Sequence, residues 1–212
     1  MMLQPILNSL NSKCIVLAST SPRRKLLLEN IGLKFKVIPS KFEENLSKES
    51  FCSPLDYVAE TAKQKTLDVV HRLYSSEVPP PDLIIGADTI VTLGNEIFEK
   101  PNSREHAVEV LTRLSGSSHE VITSVVLVTQ SPAEPKYSIV QFHSQTEVVM
   151  GDLSQRVIEA YVDTGEPMDK AGGYGIQDLG STLIQRVNGD YFNVIGFPLH
   201  LFAKEVLRLF PE

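Results

Sequence analysis

The chain has 212 residues, 42% apolar and 22% charged, a globular composition able to bury roughly 70% of its unfolded surface without staples. A net charge of −6, from 26 acids against 20 bases, disfavours a binder of nucleic acid or anionic membrane, because such binding draws on a basic face. Cys14 and Cys52 are too few for a disulfide framework or an all-cysteine zinc site, no apolar run approaches the roughly 20 residues of a membrane span, and the first residues lack a signal-peptide pattern, so a cytoplasmic setting is expected.

Residues 14–18 (CIVLA) read as a buried strand. Ser21 and Pro22 follow as cap and first residue of a helix, which Gly32 stops, and residues 35–38 read as a second strand. A second helix starts at Ser53 with Asp56 three residues after the cap. Its apolar stripe is Leu55, Val58, Ala59, Ala62, Thr66, Val69, Val70 and Leu73. Residues 77–82 (EVPPPD) read as a loop, and Leu83–Leu93 as a strand returning through Gly94 and Asn95 into residues 96–99. Residues 103–114 read as a helix, 121–129 and 137–150 as a long hairpin, and 154–164 as a helix ended by Gly165. A Gly-rich loop spans 166–180, a hairpin is expected over 181–187 and 191–195 around Asn188 and Gly189, and a helix over 198–210 closes the chain. Helices interleaved with strands predict an α/β class with a mixed sheet.

Four places carry candidate chemistry. Ser19, Arg23 and Arg24 flank a helix N-terminus, whose exposed N–H groups and positive dipole end suit an anion. Two arginines there oppose the dipole, so either a phosphate offsets them or they pair with Glu29 or Glu44 on a plain surface turn. Asp88 lies inside the apolar strand LIIGADTIVTL, where a carboxylate is costly unless paired, metal-bound or capping a strand end. Lys65 sits just beyond the edge of the apolar stripe, a place that also suits a snorkelling lysine. Lys100 ends the hairpin arm that leads back toward Asp88, and a solvated lysine is its plain alternative. Residues 169–177 (DKAGGYGIQ) allow close backbone approach to a ligand but match neither GxGxxG nor a Walker A pattern, so a structural turn is equally open. The five histidines show no HxxxH spacing and no serine lies in GxSxG, which leaves acyl chemistry little support.

Together LASTSPRR at 17–24, AETAKQK at 59–65, GADTIV at 86–91, EKP at 99–101, LSG at 114–116 and EPMDKAGGYGIQ at 166–177 resemble the Maf family of nucleoside triphosphate pyrophosphatases, over about residues 14–210. The resemblance implies a fold related to the inosine triphosphate pyrophosphatases (Maf/Ham1-type): an elongated mixed sheet with flanking helices, here one domain over 1–212 with two lobes around a deep central cleft. It implies hydrolysis of nucleoside triphosphates to monophosphate and pyrophosphate with Mg²⁺ or Mn²⁺, and a possible homodimer. It places the proton acceptor on Asp88, phosphate-binding groups on Ser19, Arg23 and Arg24, cleft lysines on Lys65 and Lys100, and an acidic loop residue on Glu44. Its substrate subgroups differ at positions that fall on Arg23, Thr89 and Gln177, and these residues look like the dTTP/UTP subgroup, whereas the 7-methyl-GTP subgroup carries a tryptophan at the place of Arg23.

The residue chemistry fits that expectation. Arg23, Arg24, Lys65, Lys100 and Lys170 can clamp a triphosphate, Asp88 and Glu44 can hold a divalent cation, and Asp88 can activate a water toward the α-phosphorus. Gln177 offers one donor and one acceptor, which match the N3–H and carbonyl edge of uracil or thymine. Two other readings stay open: a nucleotide-binding regulatory protein acting through a partner, for instance in cell division, and a purine-directed pyrophosphatase of the related fold.

Overall fold

A computed structural model describes residues 2–76 and 79–211. The apolar run Leu83–Leu93 becomes the central strand β3 of a mixed sheet, for which its β-branched residues suit it. In chain order the other elements are α1 (Leu7–Asn11), β1 (Ile15–Leu17), α2 (Pro22–Asn30), β2 (Lys36–Val37), α3 (Pro54–Tyr74), β4 (Glu96–Phe98), α4 (Arg104–Leu114), β5 (Ser118–Gln130), β6 (Tyr137–Met150), α5 (Gln155–Asp163), β7 (Ile184–Asn188), α6 (Tyr191–Ile195) and α7 (Leu199–Leu209). The strand order is β2-β1-β3-β5-β6-β7, with β4 also on β3. β1 lies parallel to β2 and β3, and the remaining pairs are antiparallel.

One edge of β3 pairs with β5 continuously from Leu83 to Thr92. The other edge is shared. β1 covers Leu83 to Ile85 and β4 covers Val91 to Leu93, so residues 86–90 face a gap between two strands. Asp88 and Thr89 sit in that gap.

Helices cover both faces. Ile84 packs with Val69 and Val70 of α3 on one face. Ile85 and Ala87 pack with Leu27 and Leu28 of α2 and Phe202 of α7 on the other. This is the period-two alternation of a strand buried on both sides. A further core joins Val91, Phe98, α4 and α5 at the end of the sheet beyond the gap.

The cap residues read from the sequence are in place: Ser21, Ser53, Ser103 and Ser154 each accept an N–H of the following first turn. Ser53 also donates to the Asp56 carboxylate at 2.7 Å. Gly32, Gly116 and Gly165 take positive φ just past their helices, a conformation that favours glycine.

One expectation is corrected. The hairpin expected over 181–195 does not form. Residues Leu179–Leu183 are a 3₁₀ turn, β7 pairs with β6, and Tyr191–Ile195 is a short helix. Asp190 caps that helix by accepting the Phe192 N–H at 2.8 Å, and Asn193 is buried, donating to Val121 O and Thr146 Oγ1. A short apolar run is ambiguous between strand and helix, and here the cap decides. The start of the chain also orders: Leu3, Ile6 and Leu10 are buried in the core with α2 and α7. Of the 77–82 loop, Glu77 and Val78 lie outside the described residues.

Candidate active site

A cavity of about 580 Å³ opens at the gap in β3. The consecutive residues Asp88, Thr89, Ile90 and Val91 all line it. Successive strand residues point to opposite faces, so the cavity reaches both faces of the sheet through the gap.

On the α3 face, Asp88 is only 9% exposed and accepts a hydrogen bond from Lys65 Nζ at 2.7 Å. The approach of α3 to β3 sets that distance. Gly86 packs against Thr66, the neighbour of Lys65, so closely that a Cβ would lie 1.8 Å from Thr66 Oγ1. The buried face of α3 is Tyr57, Val58, Thr61, Ala62, Thr66, Val69 and Val70, while the stripe residues Leu55, Ala59 and Leu73 are only partly buried, so the face is rotated toward Lys65, which follows Tyr57 and Thr61 at i+4 spacing. Lys65 therefore ends in the cavity rather than snorkelling to solvent. Its ammonium also meets Glu44 Oε1 at 2.7 Å. Glu44 rides on the segment after β2, which is tied down where Asp68 accepts from Lys41 N–H and Ser40 Oγ. Burial raises the Asp88 carboxyl above its ordinary pKa, an effect that Lys65 and Arg24 oppose.

On the opposite face, Arg24 is built into the wall. Its Nε donates to Gly196 O, one terminal nitrogen to Ala87 O and Ser19 Oγ, and the other to Thr89 Oγ1. Burial lowers its pKa, and Asp88 counters this. Ser19 Oγ accepts from Arg24 and from the Ser21 N–H, which leaves its own proton to donate. Thr89 is fixed between Arg24 and Thr123. The plain alternative for the arginines is wrong in detail: neither pairs with Glu29 or Glu44. Arg23 meets the Asp169 carboxylate at 2.8 Å and Asp169 O at 3.1 Å.

The 166–180 loop closes one side. Asp169 bridges Arg23 and Lys170, and these cations hold it below its ordinary pKa against the upward push of burial. Gln177 lies exposed at the rim. Gly172 is needed there: its φ is +70°, and a Cβ would lie 2.7 Å from Val91. The turn through Gly94 carries β4 back along β3, which brings Lys100 to the cavity, exposed at its edge.

The sequence reading missed Glu99. It lines the cavity, accepts from Tyr57 Oη at 2.6 Å and pairs with Lys48 at 2.7 Å. Burial pushes its pKa up, but Lys48 and Tyr57 hold it below the ordinary value. The only local signal was its place between a hairpin arm and Lys100. His119 was also missed. It is buried, with Nε2 2.6 Å from the hydroxyl of Tyr174, and burial lowers its pKa to about 4. Tyr174 lines the cavity floor.

The cavity walls carry five cationic side chains (Arg23, Arg24, Lys65, Lys100, Lys170) and five carboxylates (Glu44, Asp88, Glu99, Asp169, Asp178), a formal balance of zero. Among the described residues no group of three or more His, Cys, Asp or Glu side chains is arranged to hold a metal by itself, and no helix is long and apolar enough to cross a membrane.

A family profile described as Maf-like protein matches residues 14–209. The chain belongs to the Maf family. It is 49% identical over 212 residues to a human protein named probable bifunctional dTTP/UTP pyrophosphatase/methyltransferase, covering 99% of this chain and 34% of that protein. It thus spans about a third of the length of that relative. It is 43% identical over 196 residues to a dTTP/UTP pyrophosphatase of Desulforamulus reducens, covering 92% of this chain and 96% of the relative. For a dTTP/UTP pyrophosphatase of Bacillus cereus the identity is 40% over 196 residues, covering 92% and 90%.

Proposed function

We propose that this Maf-family chain hydrolyses dTTP and UTP, and modified pyrimidine triphosphates, to the monophosphate and pyrophosphate. The observation that carries the proposal is the buried Asp88 held on Lys65 at the centre of a cavity lined by further cations. The names of the Desulforamulus and Bacillus relatives, which match nearly end to end, support the substrate class.

The residues take the following parts. Ser19, Arg23, Lys100 and Lys170 receive the phosphates. For Arg23 and Lys170 this means exchanging the Asp169 carboxylate for a phosphate oxygen, one anion for another. Arg24 holds Ser19 and Thr89 in place from within the wall. Asp88 accepts a proton from the attacking water, and its raised pKa makes it a better base than an exposed aspartate. Lys65 orients that carboxylate and offsets negative charge as the leaving pyrophosphate forms. Gln177 faces the pyrimidine edge with its paired donor and acceptor.

A divalent cation fits these residues. Glu44 and Asp88 converge on one ammonium, and Mg²⁺ prefers one or two carboxylates together with substrate phosphates over an all-protein cage. The neutral balance of the walls supports the same reading, since a triphosphate needs added positive charge there. Glu44 and Asp88 would hold Mg²⁺ or Mn²⁺, and the ion would supply that charge. The cavity is read as the cleft between two lobes of one domain of the inosine triphosphate pyrophosphatase type, working in the cytoplasm alone or as a homodimer.

The test is pyrophosphate release from UTP, dTTP, CTP, GTP, ATP and 5-substituted pyrimidine triphosphates, with Mg²⁺, Mn²⁺ or chelator. Turnover of UTP and dTTP well above the purines is expected. Preferred purine turnover, or tight nucleotide binding without any release, sinks the proposal.

A further inference from the structure

The 166–180 loop carries Gln177 to the cavity rim, yet glycine-rich backbone has little intrinsic preference for one conformation. It is tied from behind. The Glu166 carboxylate accepts three hydrogen bonds: from Tyr161 Oη at 2.9 Å, Leu179 N at 3.0 Å and Gly180 N at 3.1 Å. The Tyr161 oxygen in turn accepts the Gly175 N–H at 3.2 Å. Gly175 and Gly180 bracket Gln177, so both arms of the loop end on one phenol–carboxylate pair. The arms also touch. A Cβ on Gly180 would lie 2.5 Å from Gly175 O and 2.5 Å from Tyr161 Oη. Tyr161 is anchored in turn, because its ring lies in the core beneath α5. Neither Tyr161 nor Glu166 is among the residues that line the cavity, so any influence on a ligand passes through the loop.

We propose that Tyr161 and Glu166 are positioning residues for base selection: they hold residues 175–180 as a closed loop that presents the Gln177 amide to the base in one place. The inference rests on the pyrimidine reading above. Pre-ordering a recognition loop lowers the cost of ordering it on binding, so its loss should appear in KM and in base preference rather than in the chemical step.

The experiment compares wild type with Tyr161→Phe and Glu166→Gln. Phenylalanine keeps the buried ring and removes only the oxygen that joins Glu166 to Gly175. Glutamine keeps the length but sets an amide against one of the two backbone N–H groups. For each protein, kcat and KM are measured with UTP, dTTP and GTP, together with inhibition by inorganic pyrophosphate. Both variants should raise KM for UTP and dTTP about five- to twentyfold with kcat within about twofold of wild type, and lower the UTP-to-GTP ratio of kcat/KM by a similar factor. Pyrophosphate inhibition should stay unchanged, because the phosphate-binding Lys170 meets Glu166 only at its backbone oxygen, 2.8 Å from Nζ, which neither substitution alters. A fall in kcat at constant KM, or pyrophosphate inhibition weakened as much as UTP binding, would mean that the pair merely stabilises the domain. Unchanged KM and unchanged base ratio in both variants overturn the proposal. A wild type that treats the nucleotides alike overturns the pyrimidine reading and this inference together, so the two failures are told apart.

Discussion

Asp88→Asn tests the centre of the site. The substitution keeps shape and leaves an acceptor for Lys65, and Lys65 retains Glu44 at 2.7 Å, so no buried cation is orphaned. Burial raises the Asp88 pKa, which means that the fold favours its protonated form. The stability from that preference is complete below the unfolded-state pKa and is lost as pH rises through the folded one. At neutral pH the carboxylate therefore costs stability, and the asparagine variant should melt no lower than wild type. Turnover is another matter. A positioned general base contributes roughly 10²–10⁴ in rate, or about 3–5 kcal/mol of activation free energy. Pyrophosphate release from saturating UTP should fall by that factor while the melting temperature holds. In wild type, kcat/KM should drop as pH falls through the raised Asp88 pKa, above the ordinary carboxylate range. A variant that keeps more than about a tenth of wild-type kcat would refute the base assignment.

Lys65→Ala should cost both rate and stability, because Asp88 loses the partner that compensates its burial; denaturant melts should show a loss of up to about 3 kcal/mol at pH 8 that shrinks as pH falls, because the unpaired Asp88 can then take up a proton. A loss that does not change with pH would argue against the pairing. Gly86→Ala should destabilise by about 2–3 kcal/mol, since its Cβ would overlap Thr66; a melting temperature unchanged by the extra methyl contradicts the close α3–β3 approach. His119 stays neutral in the fold down to about pH 4 while the unfolded chain binds its proton near 6.5, so the fold loses on the order of 3 kcal/mol between those values. His119→Gln should flatten that acid limb in equilibrium unfolding, and an unaltered limb assigns it to other groups. Gln177→Glu should cut kcat/KM for UTP and dTTP roughly 5- to 200-fold and spare GTP, because an acceptor replaces the amide donor opposite a carbonyl; a uniform fall over all bases removes the base-reading role.

The sequence carries some of these features plainly and others not at all. Asp88 stood out because a lone carboxylate in an apolar strand demands a partner, and Lys65 because it broke the edge of a helical stripe. The serine caps were legible because a cap bond spans three residues. Contacts that span the chain left no local trace. Arg23 to Asp169 crosses 146 positions and His119 to Tyr174 crosses 55, so neither partner could be read from spacing. The segment Tyr191–Ile195 was misread because its helix depends on the Asp190 cap and on the buried amide of Asn193, and the apolar pattern shows neither. Glu99 was quoted within a motif but given no part, since its role comes from Tyr57 and Lys48 on other elements.

The interruption in the edge of β3 raises a question of self-association. An unpaired strand edge is a template on which a foreign strand can add, and long exposed edges are a common route to aggregation. Here the uncovered stretch is residues 86–90, hemmed in by β1 at one end and β4 at the other, so an incoming strand would find room for only a few hydrogen bonds. One of the acceptors it would seek, Ala87 O, is already taken by the Arg24 guanidinium at 2.9 Å. Arg24 thus does for the backbone what a neighbouring strand would do, and it satisfies the edge while leaving space beside it. Because of this guard, the sheet can stay open at its middle without becoming sticky there.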